Sequence, residues 1–195
     1  MKKFVVPFVV LILGLMILSC SSRKVTRVNE EKQIDLSGRW NDTDSRLVAE
    51  DMIKDVLERP WLPNFVNKQG RRPVVIVGLV RNKTHEHISA ETFIKDIERE
   101  FVNSGRVTVV QAGDAREELR DERADQQEFA SVTTLKHWGL EKGADFMMQG
   151  VINSIVDADQ SESVVLYQID LELSDLETNE KVWIGNKKIK KLVQN

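Results

Sequence analysis

Residues 165–174 read Val165-Leu166-Tyr167-Gln168-Ile169-Asp170-Leu171-Glu172-Leu173-Ser174. The odd-numbered positions are large and apolar, and the even-numbered positions from Gln168 onward are polar. Because successive side chains of a strand point to opposite faces, this alternation predicts a β-strand with one packed face and one wet face. Glu177-Thr178-Asn179-Glu180 then predicts a turn, after which residues 181–191 return as the second strand of an antiparallel hairpin.

The chain before this hairpin alternates between helical and strand-like patterns. Val48, Met52 and Val56 recur at helical spacing, which predicts a helix from about residue 42 to Pro60. The next segments are read as an aromatic loop at 61–63, a buried strand at 74–80, a polar connection at 81–88, a helix between the N-cap Ser89 and Gly105, and strands at 107–110 and 146–156.

Residues 116–128 form the most charged segment of the chain. Nine of these thirteen side chains are charged, with both signs at helical spacings, which predicts a solvated helix. The pattern becomes amphipathic again at Phe129, Val132 and Leu135. Together these elements predict an α/β fold: a single small domain at 38–195 with a mixed or mostly antiparallel sheet flanked by helices.

The N-terminus has the organisation of a secretory signal. Lys2 and Lys3 precede a run of fifteen uncharged residues, too short and too interrupted to span a membrane. Ile17-Leu18-Ser19-Cys20 follows and resembles the bacterial lipobox, which implies cleavage before Cys20 and diacylglyceryl and N-acyl lipid on that residue. The predicted organisation is a signal peptide at 1–19, a lipidated N-terminus and flexible tether at 20–37, and the domain after it.

The predicted location is the outer membrane, facing the periplasm. Ser21 and Ser22 follow the lipidated cysteine, and by resemblance to the sorting rule of many Gram-negative bacteria this favours the outer membrane. The tether has 18 residues from Cys20 to Gly38, which reach about 60 Å when extended and about 25 Å as a coil. Cys20 is the only cysteine, so the chain forms no internal disulfide.

Charge argues against two classes of partner. The chain carries 28 basic and 31 acidic residues, and cleavage would remove two of the basic residues and none of the acidic ones. This mildly acidic, mixed-sign surface argues against a nucleic-acid partner and against broad electrostatic adhesion to anionic lipid. Lipid on Cys20 would therefore bring the protein to its membrane.

The sequence predicts a non-catalytic protein without cofactor, metal or small-molecule substrate. It contains no phosphate-binding glycine loop and no serine nucleophile elbow. His85-Glu86-His87 could offer two ligands on one side of an extended segment, but a zinc site needs three or four, so a surface loop is the preferred interpretation. The carboxylates at 116–123 could suggest glycoside hydrolysis, but a solvated helix gives them no pocket that raises a pKa.

Three residues are candidates for partner binding. Tryptophan and arginine are enriched in interface hot spots. Trp61, between Pro60 and Pro63, is predicted to be an exposed contact in a loop. Arg120 and Arg123 lie on the charged helix, which is a candidate docking segment together with the loop at 81–88.

A set of motifs occurs in order along the chain: Ile34–Thr43, Pro73–Gly78, Asn82–Thr84 with His87 and Ile88, Gly143–Gly150, and the ending Tyr167–Trp183. This ordered set resembles LpoB-type lipoproteins, the activators of peptidoglycan synthases. The resemblance implies an α/β domain without enzymatic activity that binds a bifunctional class A penicillin-binding protein and stimulates it. The tether is shorter than in the best-known members.

Two other functions remain open from the sequence. The Gly143–Gly150 segment and the hairpin also resemble the periplasmic domain of CsgG-type curli export lipoproteins. A pore, however, needs additional long amphipathic strands, and the predicted strands are already used in the domain. The other alternative is a structural lipoprotein of an envelope complex that activates no synthase.

Overall fold

The computed structural model describes residues 24–29, 32–129, 131 and 141–194. One compact unit starts at Gln33 and contains the helices and strands that follow. In chain order they are α1 (Asp42–Glu58), α2 (Trp61–Gln69), β1 (Val74–Asn82), α3 (Ala90–Ser104), β2 (Thr108–Val110), α4 (Gly113–Phe129), β3 (Phe146–Ala158), β4 (Glu162–Asp175) and β5 (Lys181–Gln194).

These strands form one mixed sheet in the order β2-β1-β3-β4-β5. β1 is parallel to β2 and to β3, whereas β3, β4 and β5 are antiparallel to their neighbours. A parallel pair needs a crossover connection, and α3 lies between β1 and β2 in the chain. The prediction of a single α/β domain with a mixed sheet and flanking helices is confirmed.

The apolar–polar alternation at residues 165–174 matches the two faces of the sheet. Tyr167, Ile169, Leu171 and Leu173 are at most 1% exposed, while the even-numbered neighbours from Gln168 onward are only partly buried. The predicted turn at 177–180 joins β4 to β5, and the two strands pair along nearly their whole length. The hairpin prediction is confirmed.

Helices α1 and α3 pack on the buried face of the sheet. Val48, Met52 and Val56 of α1 join the core, as do Phe93 and Ile97 of α3. The two helices also share a buried polar contact, because Ser45 Oγ donates a 2.8 Å hydrogen bond to Asp96 Oδ2. The apolar residues that recur at helical spacing in α1 and α3 therefore form the helix faces that pack against the strands.

Capping residues define the ends of these helices. Asn41 and Asp44 form a reciprocal capping box at the start of α1. Ser89 accepts a hydrogen bond from the backbone N–H of Thr92, and Gly105 ends α3 in the left-handed conformation at φ 64°. The predicted bounds of both helices are confirmed.

One predicted connection is wrong. Residues 61–63 were expected to form a loop, but they begin α2, with Pro60 at its N-cap and Gly70 at its C-cap at φ 65°. Proline suits a helix start, and glycine suits the left-handed position that ends a helix. Trp61 and Leu62, in the first turn of α2, are buried.

The charged segment is a helix, as predicted. α4 has no buried residue along its length, and its last residue, Phe129, is 77% exposed. Val132 and Leu135, which were expected to extend an amphipathic pattern, lie outside the described residues.

The N-terminal predictions concern mostly residues outside the described ones. Cys20 and the signal sequence belong to this group, and the division of the chain after residues 19 and 37 stays a prediction. Asp35, which the sequence assigned to the tether, belongs to the compact unit. No helix among the described residues is both long and apolar enough to cross a membrane.

Candidate interaction surface

A cleft of about 530 Å³ opens between α2 and the turn that joins β4 to β5. We call it the α2 cleft. Its wall is aromatic and aliphatic, and its rim is polar. The apolar lining residues are Trp61, Phe65, Ala144, Phe146, Leu176 and Val182, and the polar ones include Asn64, Lys68, Gln69, Asp145, Glu177 and Thr178.

Trp61 lies in the wall of this cleft instead of projecting from a loop. Its ring meets Phe146 edge-to-face at 5.0 Å, and its Nε1–H donates a 2.7 Å hydrogen bond to the carbonyl of Val56. The side chain is only 7% exposed. The prediction that Trp61 is an exposed contact is therefore wrong, because a buried tryptophan gains both apolar contact and a partner for its N–H.

Phe65 and Leu176 are the apolar side chains that a ligand of the cleft could reach. Phe65 is partly buried and packs edge-to-face on Phe146 at 5.3 Å. Leu176 is 44% exposed in the turn between β4 and β5. The sequence did not mark either residue as a candidate. A helix signal was present, however, because Trp61 and Phe65 have helical spacing and lie between Pro60 and Gly70. That signal could have predicted α2.

An ion pair fixes one side of the cleft. Arg71 donates two 2.7 Å hydrogen bonds to the carboxylate of Asp145, and its guanidinium lies 5.1 Å from the ring centroid of Phe65. Asp145 also accepts a bond from the backbone N–H of Val74. These hydrogen bonds, first the one from Arg71, lower the pKa of Asp145. The carboxylate stays ionised and bound, so it suits a structural role better than proton transfer.

Arg120 and Arg123, the other two predicted partner contacts, both lie on α4. Both bond Glu141, with nitrogen–oxygen distances of 2.8 Å from Arg120 Nε and 3.3 Å from Arg123. Glu141 is three residues before Ala144, which lines the cleft, so their Cα atoms are at most about 11 Å apart. The structure therefore joins the two arginines to the segment that leads into the cleft, but neither arginine is among the lining residues of the cleft.

The 81–88 segment has a different role in the structure. Glu86 turns inward and accepts hydrogen bonds from the hydroxyl of Tyr167 and from the backbone N–H of Trp40 at 3.1 Å. His85 and His87, on either side, are exposed. Within residues 24–29, 32–129, 131 and 141–194, no group of three His, Cys, Asp or Glu side chains is placed to hold a metal ion.

Comparison with protein families identifies the domain. The model described as the peptidoglycan-synthase activator LpoB matches residues 44–189, from the first turn of α1 into β5. The chain belongs to the LpoB family. The predicted resemblance is confirmed, and the family's description is that of a regulator.

Solved structures of two LpoB C-terminal domains and of one further lipoprotein are also similar to this chain. The LpoB C-terminal domain from Salmonella enterica has 14% identity and a TM-score of 0.44, over 76% of this chain and 99% of that one. The domain from Escherichia coli has 16% identity and a TM-score of 0.42 over the same shares. A lipoprotein of Neisseria meningitidis has 13% identity and a TM-score of 0.40, over 61% of this chain and 83% of that one. The comparison with curated proteins gave no significant match.

Proposed function

We propose that this LpoB-family chain is a periplasmic lipoprotein, anchored in the outer membrane, that binds a class A penicillin-binding protein and activates it. The family match over residues 44–189 carries the proposal, because it spans the sheet and the helices that cover it. Lipid on Cys20 would provide the membrane anchor, since two or three acyl chains bind a membrane stably.

The proposed role is non-catalytic and needs no cofactor. The carboxylates considered for hydrolysis lie on α4, which is solvated, and Glu117 there pairs with Arg120. A carboxylic acid that donates a proton near neutral pH needs an environment that raises its pKa. The ionised Asp145 in the α2 cleft has the opposite environment, which supports a binding function.

Activation by binding has a thermodynamic requirement. The domain must bind the active conformation of the synthase more tightly than the inactive one. A tenfold shift in the population of active enzyme needs about 1.4 kcal/mol of differential binding. Interactions at a surface of ordinary size supply that amount, so no chemistry by the activator is needed.

Crosslinking in the native envelope followed by pull-down tests the proposal, with Cys20→Ala as the unanchored control. The expected result is recovery of a class A penicillin-binding protein with the lipidated chain and reduced recovery with the control. The purified unlipidated chain should then stimulate glycan polymerisation by that synthase. Recovery of other envelope proteins, with no effect on any synthase, would instead favour a structural role.

A further inference from the structure

The chain enters the domain at the C-terminal end of β5. Asp35 accepts a 2.9 Å hydrogen bond from Lys191 Nζ. The backbone of Gly38 passes so close to the strand that a Cβ there would lie 2.1 Å from Cγ2 of Val193. Cys20 precedes Gln33 by 13 residues, so the proposed lipid lies within about 45 Å of this end along the chain.

The α2 cleft lies at the opposite end of the same strand. Val182, next to the first residue of β5, lines the cleft, whereas Val193 at the other end contacts Gly38. Eleven residues of strand at about 3.3 Å each place these ends about 36 Å apart. The cleft therefore lies at the end of the domain away from the point where the chain enters it, and as a flexible coil the 13 residues before Gln33 would span only about 20 Å.

The composition of the cleft matches an interface hot spot. Such sites combine a desolvated apolar pocket with a polar rim that excludes water. Here Phe65 and Leu176 offer accessible apolar surface, and the rim carries Lys68 and Glu177. Neither of these two charged side chains forms an ion pair with another described residue, so both can pair with a partner.

The cleft is preformed, which favours tight binding because little conformational freedom is then lost when a partner binds. The double hydrogen bond from Arg71 to Asp145 holds the strand end, and the Trp61–Phe146 contact holds α2. The volume of about 530 Å³ lies within the usual range of about 300–1,000 Å³ for binding pockets.

The exposed face of the hairpin is a weaker candidate, because its polar groups bond one another. Glu172 pairs with Lys181 at 2.6 Å and accepts from Gln149, while Asp170 accepts from Gln168 and Asn186. A partner that covered this face would have to desolvate groups that already have partners.

We propose that the α2 cleft is the docking site for the peptidoglycan synthase, and that it takes an aliphatic or aromatic side chain of that protein. Lys68 and Glu177 pair with charged groups beside this side chain. The assignment rests on the proposed function, since it names the synthase as the occupant. The argument rests on its position at the end of the domain away from the chain's entry, on its apolar wall, and on rim charges that form no ion pair with other described residues.

Binding of the unlipidated mature chain (Cys20→Ala) to the soluble ectodomain of the class A synthase from the same organism tests the assignment. Leu176→Asp introduces a charge into the cleft, and Asn64→Trp fills the cleft from an exposed position of α2. Leu192→Asp is the matched control, because Leu192 is 58% exposed near the other end of β5. We expect both cleft variants to weaken the Kd at least about tenfold, and the control to change it less than about twofold.

The melting temperature of each variant separates loss of docking from loss of fold. If Leu176→Asp fails to fold, Asn64→Trp decides alone, since it removes no buried contact. Normal binding by the folded cleft variants, or weakening by Leu192→Asp alone, overturns the docking site and leaves the proposed function standing. Failure of the parent chain to bind the synthase overturns both.

Discussion

Lys191 on β5 donates a 2.6 Å hydrogen bond from Nζ to Oδ2 of Asp44 in the first turn of α1, 147 positions earlier in the chain. The two side chains are 10% and 8% exposed. The same ammonium also donates to Asp35 Oδ1 and to the carbonyl of Arg39, each at 2.9 Å. Lys191 therefore joins three parts of the domain: the entry segment before α1, which contains Asp35 and Arg39, α1 itself, and the edge strand β5. Burial alone would lower the pKa of Lys191, but the hydrogen bonds to Asp44 and Asp35 raise it overall.

Replacing this lysine should destabilise the domain. Lys191→Met keeps the apolar stem but leaves the buried Asp44 carboxylate without its cation, so the free energy of unfolding should fall by about 3 kcal/mol. Urea denaturation of the unlipidated chain measures the change. Lys188→Met, on the exposed face of β5, is the control. Its free energy of unfolding should stay within about 0.5 kcal/mol of the parent chain's. Equal values for the two variants would show that the Lys191 contacts add nothing to stability.

The contact between Lys191 and Asp35 should make the stability of the domain depend slightly on pH in the acid range. Hydrogen bonds, first from Lys191 and then from Gln33 and Asn41, lower the pKa of Asp35 to about 2 from 3.8. Because the folded-state pKa lies below the ordinary one, the carboxylate stabilises the fold above about pH 4, and this contribution is lost as the pH falls through about 2. The side chain is 35% exposed, so the contribution should stay below about 1 kcal/mol.

Asp35→Asn should flatten the acid branch of the stability curve. Urea midpoints between about pH 4 and about pH 2 should fall less steeply in this variant than in the parent chain. Asp42→Asn, at the exposed first residue of α1, is the comparison, and its urea midpoints should fall as steeply as those of the parent chain. Identical slopes for the Asp35 variant and the parent would contradict the lowered pKa.

The hydroxyl of Tyr167 should hold the entry segment through Glu86. Tyr167→Phe removes the donor to one oxygen of Glu86, whose other oxygen accepts from the Trp40 N–H. Loss of a hydrogen bond to a charged acceptor should lower the free energy of unfolding by about 2 kcal/mol. Hydrogen exchange should also become faster at the Trp40 amide. Unchanged exchange at Trp40 together with lost stability would show that Glu86 holds the segment without the tyrosine.

A close approach between β3 and β4 should make Gly150 sensitive to any side chain. A Cβ on Gly150 would lie 2.3 Å from the carbonyl oxygen of Asp170 and 2.5 Å from Cδ2 of Leu171. Gly150→Ala should therefore cost about 2 kcal/mol by overpacking. Gly143→Ala is the matched control, because no heavy atom of the described residues lies within 4 Å of a Cβ there. Thermal unfolding of both variants measures the difference, and equal melting temperatures would contradict the close approach.

Arg120 and Arg123 on α4 remain predicted partner contacts, outside the lining of the α2 cleft. Charge reversal of both to glutamate should weaken synthase binding by a few-fold, mainly through a slower association rate that depends on salt, as is usual for charges at an interface rim. Association rates at two ionic strengths measure this effect. Binding that is unchanged at both would remove α4 from the interface.

Local patterns in the sequence determined most of the fold. The alternation at 165–174 predicted β4, because the period of two is a property of the strand itself. The apolar spacing from Val48 to Val56, and the caps at Ser89 and Gly105, likewise predicted α1 and α3 from interactions within a few residues. These signals could also be matched to a family, since they occur in order along the chain.

Only the tertiary structure decided where Trp61 and Lys191 lie. Trp61 is buried because Phe146, 85 positions later, contacts it at the strand end, and Lys191 is buried because Asp44 in the first turn of α1 packs against it. The α2 cleft depends on the same long-range placements. Local periodicity records which face of an element is apolar, but it does not record which distant element covers that face. That is set by strand order and packing, which emerge only when the whole chain is folded.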